Sequence, residues 1–173
     1  MTETASEASA LAAEVARAFR TRVLHECLPR IRHCVDLLTD AQVWHRPNQA
    51  CNAIGNLLLH LEANVRQWML GGLGHGTDQR NRPAEFAVDA TDAVRRKQDL
   101  LDRLDTTVRA AAALVDAATP QLLLATHPFQ AGKFSDTGIA GVLHVMEHFS
   151  GHAYQIYDRT KQLTGRDLRF YDL

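Results

Sequence analysis

The residues whose types and spacing could do chemistry are histidines. Nine occur in the chain, at positions 25, 33, 45, 60, 75, 127, 144, 148 and 152. Three of them recur at four-residue steps in Gly141-Val-Leu-His144-Val-Met-Glu147-His148-Phe-Ser-Gly151-His152-Ala-Tyr-Gln-Ile156. On a helix, residues four apart differ by roughly 40° in direction and lie one turn apart. Two such imidazoles can converge on one ion, with nitrogens at roughly 2.0–2.1 Å for zinc. All three histidines spread over roughly 80° and share one side, but ligands two turns apart seldom meet on one ion. The spacing alone therefore supports a pair. Val145, Phe149 and Ile156 share the stripe that holds His148 and His152. Histidines on an inward face need partners, because unpaired buried polar groups are costly. A metal bound by neutral imidazole is one such partner.

A third ligand would come from another helix. His60 lies between Leu57 and Leu61 and borders an apolar face, with Asn56 and Asn64 one turn before and after it. This row reads either as a solvated edge or as a ligand whose amide neighbours orient it or a bound substrate. Glu85, in Arg80-Asn81-Arg82-Pro83-Ala-Glu85-Phe86, either folds over the site or pairs with Arg80 or Arg82. Those arginines could instead clamp a substrate carboxylate. Glu147 is expected to point away from the metal. His25, His33, His45, His75 and His127 fall outside the pattern and are expected to be solvated or locally hydrogen-bonded. Cys27 and Cys34, seven apart, suit small buried positions. With Cys51 they make an odd number without C-x-x-C spacing, which argues against a disulfide scaffold and for a reducing compartment.

Four long amphipathic segments would position these residues. The first runs from Ser6 to Leu38, its buried face carried by Leu11, Val15, Ala18, Phe19, Val23, Leu24, Leu28, Ile31, Val35 and Leu38. Pro29 inside it predicts a kink or break near Leu24 to Leu28. Asp40 to Ala50 reads as a connector, with Trp44 plugging the core. The second helix is expected over Asn52 to Leu70, capped by Asn52 and stopped by Gly71-Gly72. A long polar loop, Gly71 to Ala87, follows, then a third helix over Thr91 to Ala118. Pro120 to Asp136 is a second long connection, with a weak signal for a hairpin at Gln130 to Asp136. The fourth helix runs from Thr137 to Leu163, capped by Ser135, Asp136 or Thr137 and ended at Gly165. This is the pattern of an all-α single domain, residues 1–173, built as a four-helix bundle with long connections between helices 2 and 3 and between helices 3 and 4.

The chain has 173 residues, 46% hydrophobic and 23% charged, enough for one full core. Its net charge of −1 provides no field to hold nucleic acid. Arg95-Arg96-Lys97 is followed by Asp99, Asp102 and Asp105, the look of a solvated mixed-charge face. No apolar run is long enough to cross a bilayer, and Met1 to Ser9 lacks a signal-peptide core. A cytoplasmic protein is expected.

Three segments in this order resemble a known family. They are Asn52-Ala-Ile-Gly-Asn56-Leu-Leu-Leu-His60-Leu-Glu-Ala-Asn64-Val-Arg-Gln-Trp68, Arg80-Asn81-Arg82-Pro83-Ala-Glu85-Phe86 and His144-Val-Met-Glu-His148-Phe-Ser-Gly-His152-Ala-Tyr-Gln155-Ile156. Together they are similar to the DinB-like superfamily, the damage-inducible, YfiT-type metal proteins. The resemblance implies an up-down-down-up bundle whose ligands are His60, His148 and His152, with His144 left at the pocket wall. It implies frequent homodimers, and nickel or zinc as the ion, with manganese or iron as further candidates. It also implies chemistry with a low-molecular-weight thiol, since relatives include bacillithiol- and mycothiol-dependent S-transferases and a maleylpyruvate isomerase. Three neutral imidazoles leave an open position that lowers the pKa of a bound thiol or water. Of the two, the resemblance favours thiol transfer to a small electrophile as the expected activity. Amide or ester hydrolysis is an alternative, and a non-catalytic metal-stabilised dimer or ligand binder another. Ala153 and Tyr154 stand where relatives often carry Arg-Gly or Thr-Gly. Tyr154 is therefore expected to change local packing or pocket shape.

Overall fold

The computed structural model describes residues 2–88 and 96–171. Helix α1 covers residues 2–36: Thr2–Phe19 is α-helical, Arg20–Cys27 forms a π segment, and Leu28–Asp36 returns to α. The break expected ahead of Pro29 is thus a widened stretch, and the helix runs on. Proline lacks an N–H and crowds the preceding turn. Here it stands in the first turn of the resumed α segment, where a missing donor costs little. Phe19, Val23, Cys27 and Ile31 follow one another inward at four-residue steps through the widened turn. Leu11, expected on the buried face, is 58% exposed, and Ala12 takes the inward place.

A short helix α2 (Asp40–Val43) starts from a capping box between Thr39 and Gln42 and delivers Trp44 to the core, as expected. Helix α3 covers residues 54–73, α-helical over Ile54–Val65 and π over Arg66–Leu73. Both of its expected ends shift. The N-cap is Ala53, not Asn52, and the Asn56 side chain accepts from the Ala53 N–H at 3.0 Å. Gly71-Gly72 does not stop the helix, which ends at Leu73. Gly72 is needed for packing: a Cβ there would stand 2.2 Å from the Phe129 ring.

The following connection contains a short helix α4 (Arg82–Ala87), capped by Asn81. Helix α5 (Lys97–Asp116) comes next; its expected start at Thr91 lies outside the described residues. Helix α6 (Pro120–Leu124) leads into a hairpin of β1 (Thr126–Phe129) and β2 (Phe134–Thr137), antiparallel with Thr126 opposite Thr137 and Phe129 opposite Phe134. Helix α7 (Gly138–Thr164) begins where the Thr137 hydroxyl accepts from the Ala140 N–H, and ends at Gly165 in the left-handed conformation. The protein is therefore mostly helical, but the all-α expectation is corrected by this two-stranded sheet.

Helix α3 packs on α5 and α7, and α1 also packs on α5 and α7. Phe19, Ile31, Leu57, Leu61, Met69, Leu101, Leu104 and Phe149 fill the space between them. Among the described residues no helix is long and apolar enough to cross a membrane.

Candidate metal centre

Helix α3 supplies His60. The row Asn56, His60 and Asn64 is fully inward, with His60 only 3% exposed, so the solvated-edge reading fails. Helix α7 supplies His148 and His152 one turn apart. One ligand nitrogen from each of the three lies within 4.8 Å of the others. The Nε2 atoms of His60 and His148 are 3.0 Å apart. Two nitrogens at about 2.05 Å from one ion, with ligand angles between square and tetrahedral, sit roughly 2.9–3.4 Å apart. The spacing suits a shared ion, and these three residues could hold one. His144 is not in the group. Its ring stacks on Trp68 at 3.8 Å between centroids, and Trp68 in turn stacks on Phe129 at 4.7 Å.

The other nitrogen of His60 is also engaged. Nδ1 lies 2.8 Å from Glu85 Oε2. If Nε2 is to offer its lone pair, Nδ1 carries the proton and donates it to this carboxylate, the arrangement typical of metal-bound histidine. Arg80 also holds Glu85, Nε to Oε1 at 2.7 Å and Nη2 to Oε2 at 2.9 Å, and its Nη2 stands 2.9 Å from His60 Nδ1 as well. Both alternatives read for Glu85, over the site and paired with Arg80, therefore hold together. Arg80 also donates to Gln67 Oε1 at 2.9 Å. The loop is fastened below: Asn56 Nδ2 donates to the carbonyls of Glu85 and Val88, and Arg46 donates to Asn56 Oδ1 and the Phe86 carbonyl.

Electrostatics favour neutral imidazoles. Burial, then the neighbouring His152, His60 and His144, push His148 down from 6.5 to about 3. Burial likewise lowers His152 and His144. Burial works to raise the Glu85 carboxyl, but the Arg80 and His60 hydrogen bonds and charges prevail and lower it. His148 Nδ1 has no hydrogen-bond partner among the described residues. Imidazole nitrogens gathered at metal spacing, one ring set against a carboxylate, are a donor set that fits a divalent ion. Beside them opens a cavity of about 700 Å³, lined by His60 and His148 but not His152, and further by His144, Asn64, Asp78, Arg82 and Lys133.

The model of the DinB superfamily matches residues 24–156. The chain belongs to the DinB superfamily. No curated protein matches it. Its fold is similar to the crystal structure of a DinB-like protein from Bacillus cereus, at TM-score 0.63 and 13% identity, covering 84% of this chain and 90% of that one.

Of the other residues singled out in this DinB superfamily chain, Glu147 is exposed and Tyr154 is 61% exposed. Tyr154 lies edge-on to Tyr157 on the outer side of α7 and is not part of the cavity lining. His25, His33, His45 and His75 are exposed; His127 is buried, with Nε2 at 2.7 Å from the Leu122 carbonyl. Cys27 and Cys34 are buried, as expected. Three contributors went unread in sequence: Asn56 as the anchor of the Glu85 loop, Arg46 beneath it, and Lys133 on the hairpin. Asn56, one turn before His60, carried a signal; Arg46 and Lys133 carried none.

Proposed function

We propose that this DinB superfamily protein is a metal-dependent enzyme that transfers a low-molecular-weight thiol to a small electrophile. His60, His148 and His152 would hold one divalent ion, nickel or zinc first. The observation that carries the reading is that two of the three grouped histidines, His60 and His148, line an open cavity whose nearby carboxylates are already engaged. Glu85 is held by His60 and Arg80, and Asp78 accepts from Gln67 Nε2 at 2.7 Å and from the Arg80 backbone N–H at 3.0 Å. Amide or ester hydrolysis also calls for a free acid to protonate the leaving amine or alkoxide, whereas an ion at this position would make a thiol acidic enough to displace a leaving group such as chloride, which needs no proton.

The chain's own residues have distinct tasks. Glu85 keeps the His60 proton on Nδ1, so that Nε2 faces the cavity. Arg80 balances the Glu85 charge and holds the carboxylate in place. Trp68 fixes the His144 ring at the cavity wall. In this reading the four long helices form an up-down-down-up bundle within a single domain, and the protein works in the cytoplasm as a homodimer. The fold likeness to the DinB-like crystal structure supports the bundle.

The test is to load purified protein with nickel, zinc or manganese and screen several thiols against 1-chloro-2,4-dinitrobenzene. Turnover should require metal and thiol together, and His148→Ala should lose both metal and turnover. Wild type and variant retaining equal metal after stripping and reloading would rule out the three-histidine site. Ester cleavage without any thiol would replace transfer by hydrolysis.

A further inference from the structure

The walls of the cavity carry four charged side chains: Asp78, Arg80, Arg82 and Lys133. Their pairing divides them. Arg80 is neutralised by Glu85, and Asp78 is held by Gln67 and the Arg80 backbone. Arg82 and Lys133 have no ion pair among the described residues. The Arg82 guanidinium lies against the Phe86 ring, 5.9 Å from its centre. These two cations reach the cavity from different elements. Arg82 opens α4, and Lys133 sits in the turn between β1 and β2.

Neither position is a loose end. Asn56 and Arg46 tie down the end of α4. The hairpin is pinned by Phe129, fully buried between Gly72 of α3 and Gly141 of α7. Its tip holds Gln130 and Ala131 at φ 52° and 55°, a conformation that non-glycine residues adopt at a cost. Gln130 and Ala131 line the same cavity as Lys133.

Building on the thiol-transfer reading, we propose that the cavity takes a substrate bearing a carboxylate, held between Arg82 and Lys133 while its reacting atom faces His60 and His148. A concave site with unpaired charge of one sign concentrates ligands of the opposite sign. The walls sum to an excess of one positive charge once Glu85 is counted against Arg80, and a bound divalent ion adds to it. One exposed ion pair changes an affinity by at most about fivefold, so two acting together in a cleft are expected to give about tenfold. The carboxylate belongs either to the thiol or to the electrophile; the recognising chemistry is the same.

The experiment uses the full-length, metal-loaded protein. Calorimetry would compare succinate with its neutral diamide, succinamide. Succinate is expected to bind about tenfold more tightly to wild type. In the Arg82→Ala, Lys133→Ala double variant the ratio should fall within about twofold. The charge-keeping Arg82→Lys, Lys133→Arg variant should retain it. No preference in wild type overturns the proposal; so does a preference that survives in the alanine variant, which would assign the attraction to the ion alone. Both side chains are exposed, so unchanged circular dichroism and metal content would show the variants folded.

A second measurement finds the source of the carboxylate. It compares KM for mercaptoacetate and 2-mercaptoethanol against a neutral electrophile. It also compares 4-chloro-3-nitrobenzoate with 1-chloro-2,4-dinitrobenzene against 2-mercaptoethanol. The carboxylate-bearing partner whose KM rises about tenfold in the alanine variant is the one held. Absence of turnover with every thiol, beside a normal succinate preference, removes thiol transfer and leaves the carboxylate pocket standing. Turnover with an unaltered KM for both carboxylates does the reverse.

Discussion

His60 works through both of its ring nitrogens, and the two tasks depend on each other. Nε2 faces His148, while Nδ1 lies against Glu85 and, in the tautomer that frees Nε2 for an ion, donates to it. Glu85→Ala should therefore lower metal affinity about 10–100-fold, read by competition with a chromophoric chelator, and Glu85→Gln should recover part of it by keeping an acceptor oxygen. A variant that matches wild type would remove Glu85 from the site. Protonation argues at the same scale. His148 titrates near 6.5 when unfolded and is pushed to about 3 when folded. Between these values the unfolded chain binds more protons, so stability rises with pH. The contribution is whole above 6.5 and is lost as pH falls towards 3. His144 and His152, lowered by burial, act in the same direction. Metal-free protein should thus unfold at lower denaturant at pH 5 than at pH 7.5, and His148→Leu should flatten that difference.

Among the elements, the hairpin and α7 meet through one ring. A Cβ on Gly141 would stand 2.6 Å from Phe129, and one on Gly72 closer still. Gly141→Ala is expected to destabilise by about 1–3 kcal/mol through overpacking. Phe129→Leu should relieve part of that cost, a coupling that denaturant titrations of the single and double variants would expose. This ring also explains where sequence reading stopped. Gly71-Gly72 has the local signature of a helix end, but the reason for Gly72 is a side chain on a distant strand. The ends of α7 were legible, because Thr137 and Gly165 do their work within one turn. The helix-four histidines were legible as a set from their spacing, and the choice of His148 and His152 needed the family likeness. The π segments were not: inward residues at four-residue steps fit an α-helix as well as a wider turn. Glu85 was readable as two competing alternatives, and only tertiary packing of the loop on Asn56 lets both be true.

Across the whole molecule, a bound ion would join α3 to α7, and Glu85 would join the 78–88 loop to the same point. Anything that binds the folded state alone stabilises it by mass action, about 2.7 kcal/mol at free ligand a hundredfold above Kd. For a chain of this size that raises Tm by roughly 5–10 °C. Metal-loaded protein should lose this increment on chelation, and His152→Ala should show none to lose. Coupling between two sites is reciprocal in free energy. Whatever seats the ion therefore also seats the loop that carries Arg80 and Glu85, and whatever frees the loop weakens the ion. Proteases cut segments that open transiently, at rates set by how often they open. An ion held by His60 would thus shield the peptide bonds around Arg80 to Arg82, and a cut there would loosen the ion in return. The working life of this protein among proteases would then follow its supply of metal.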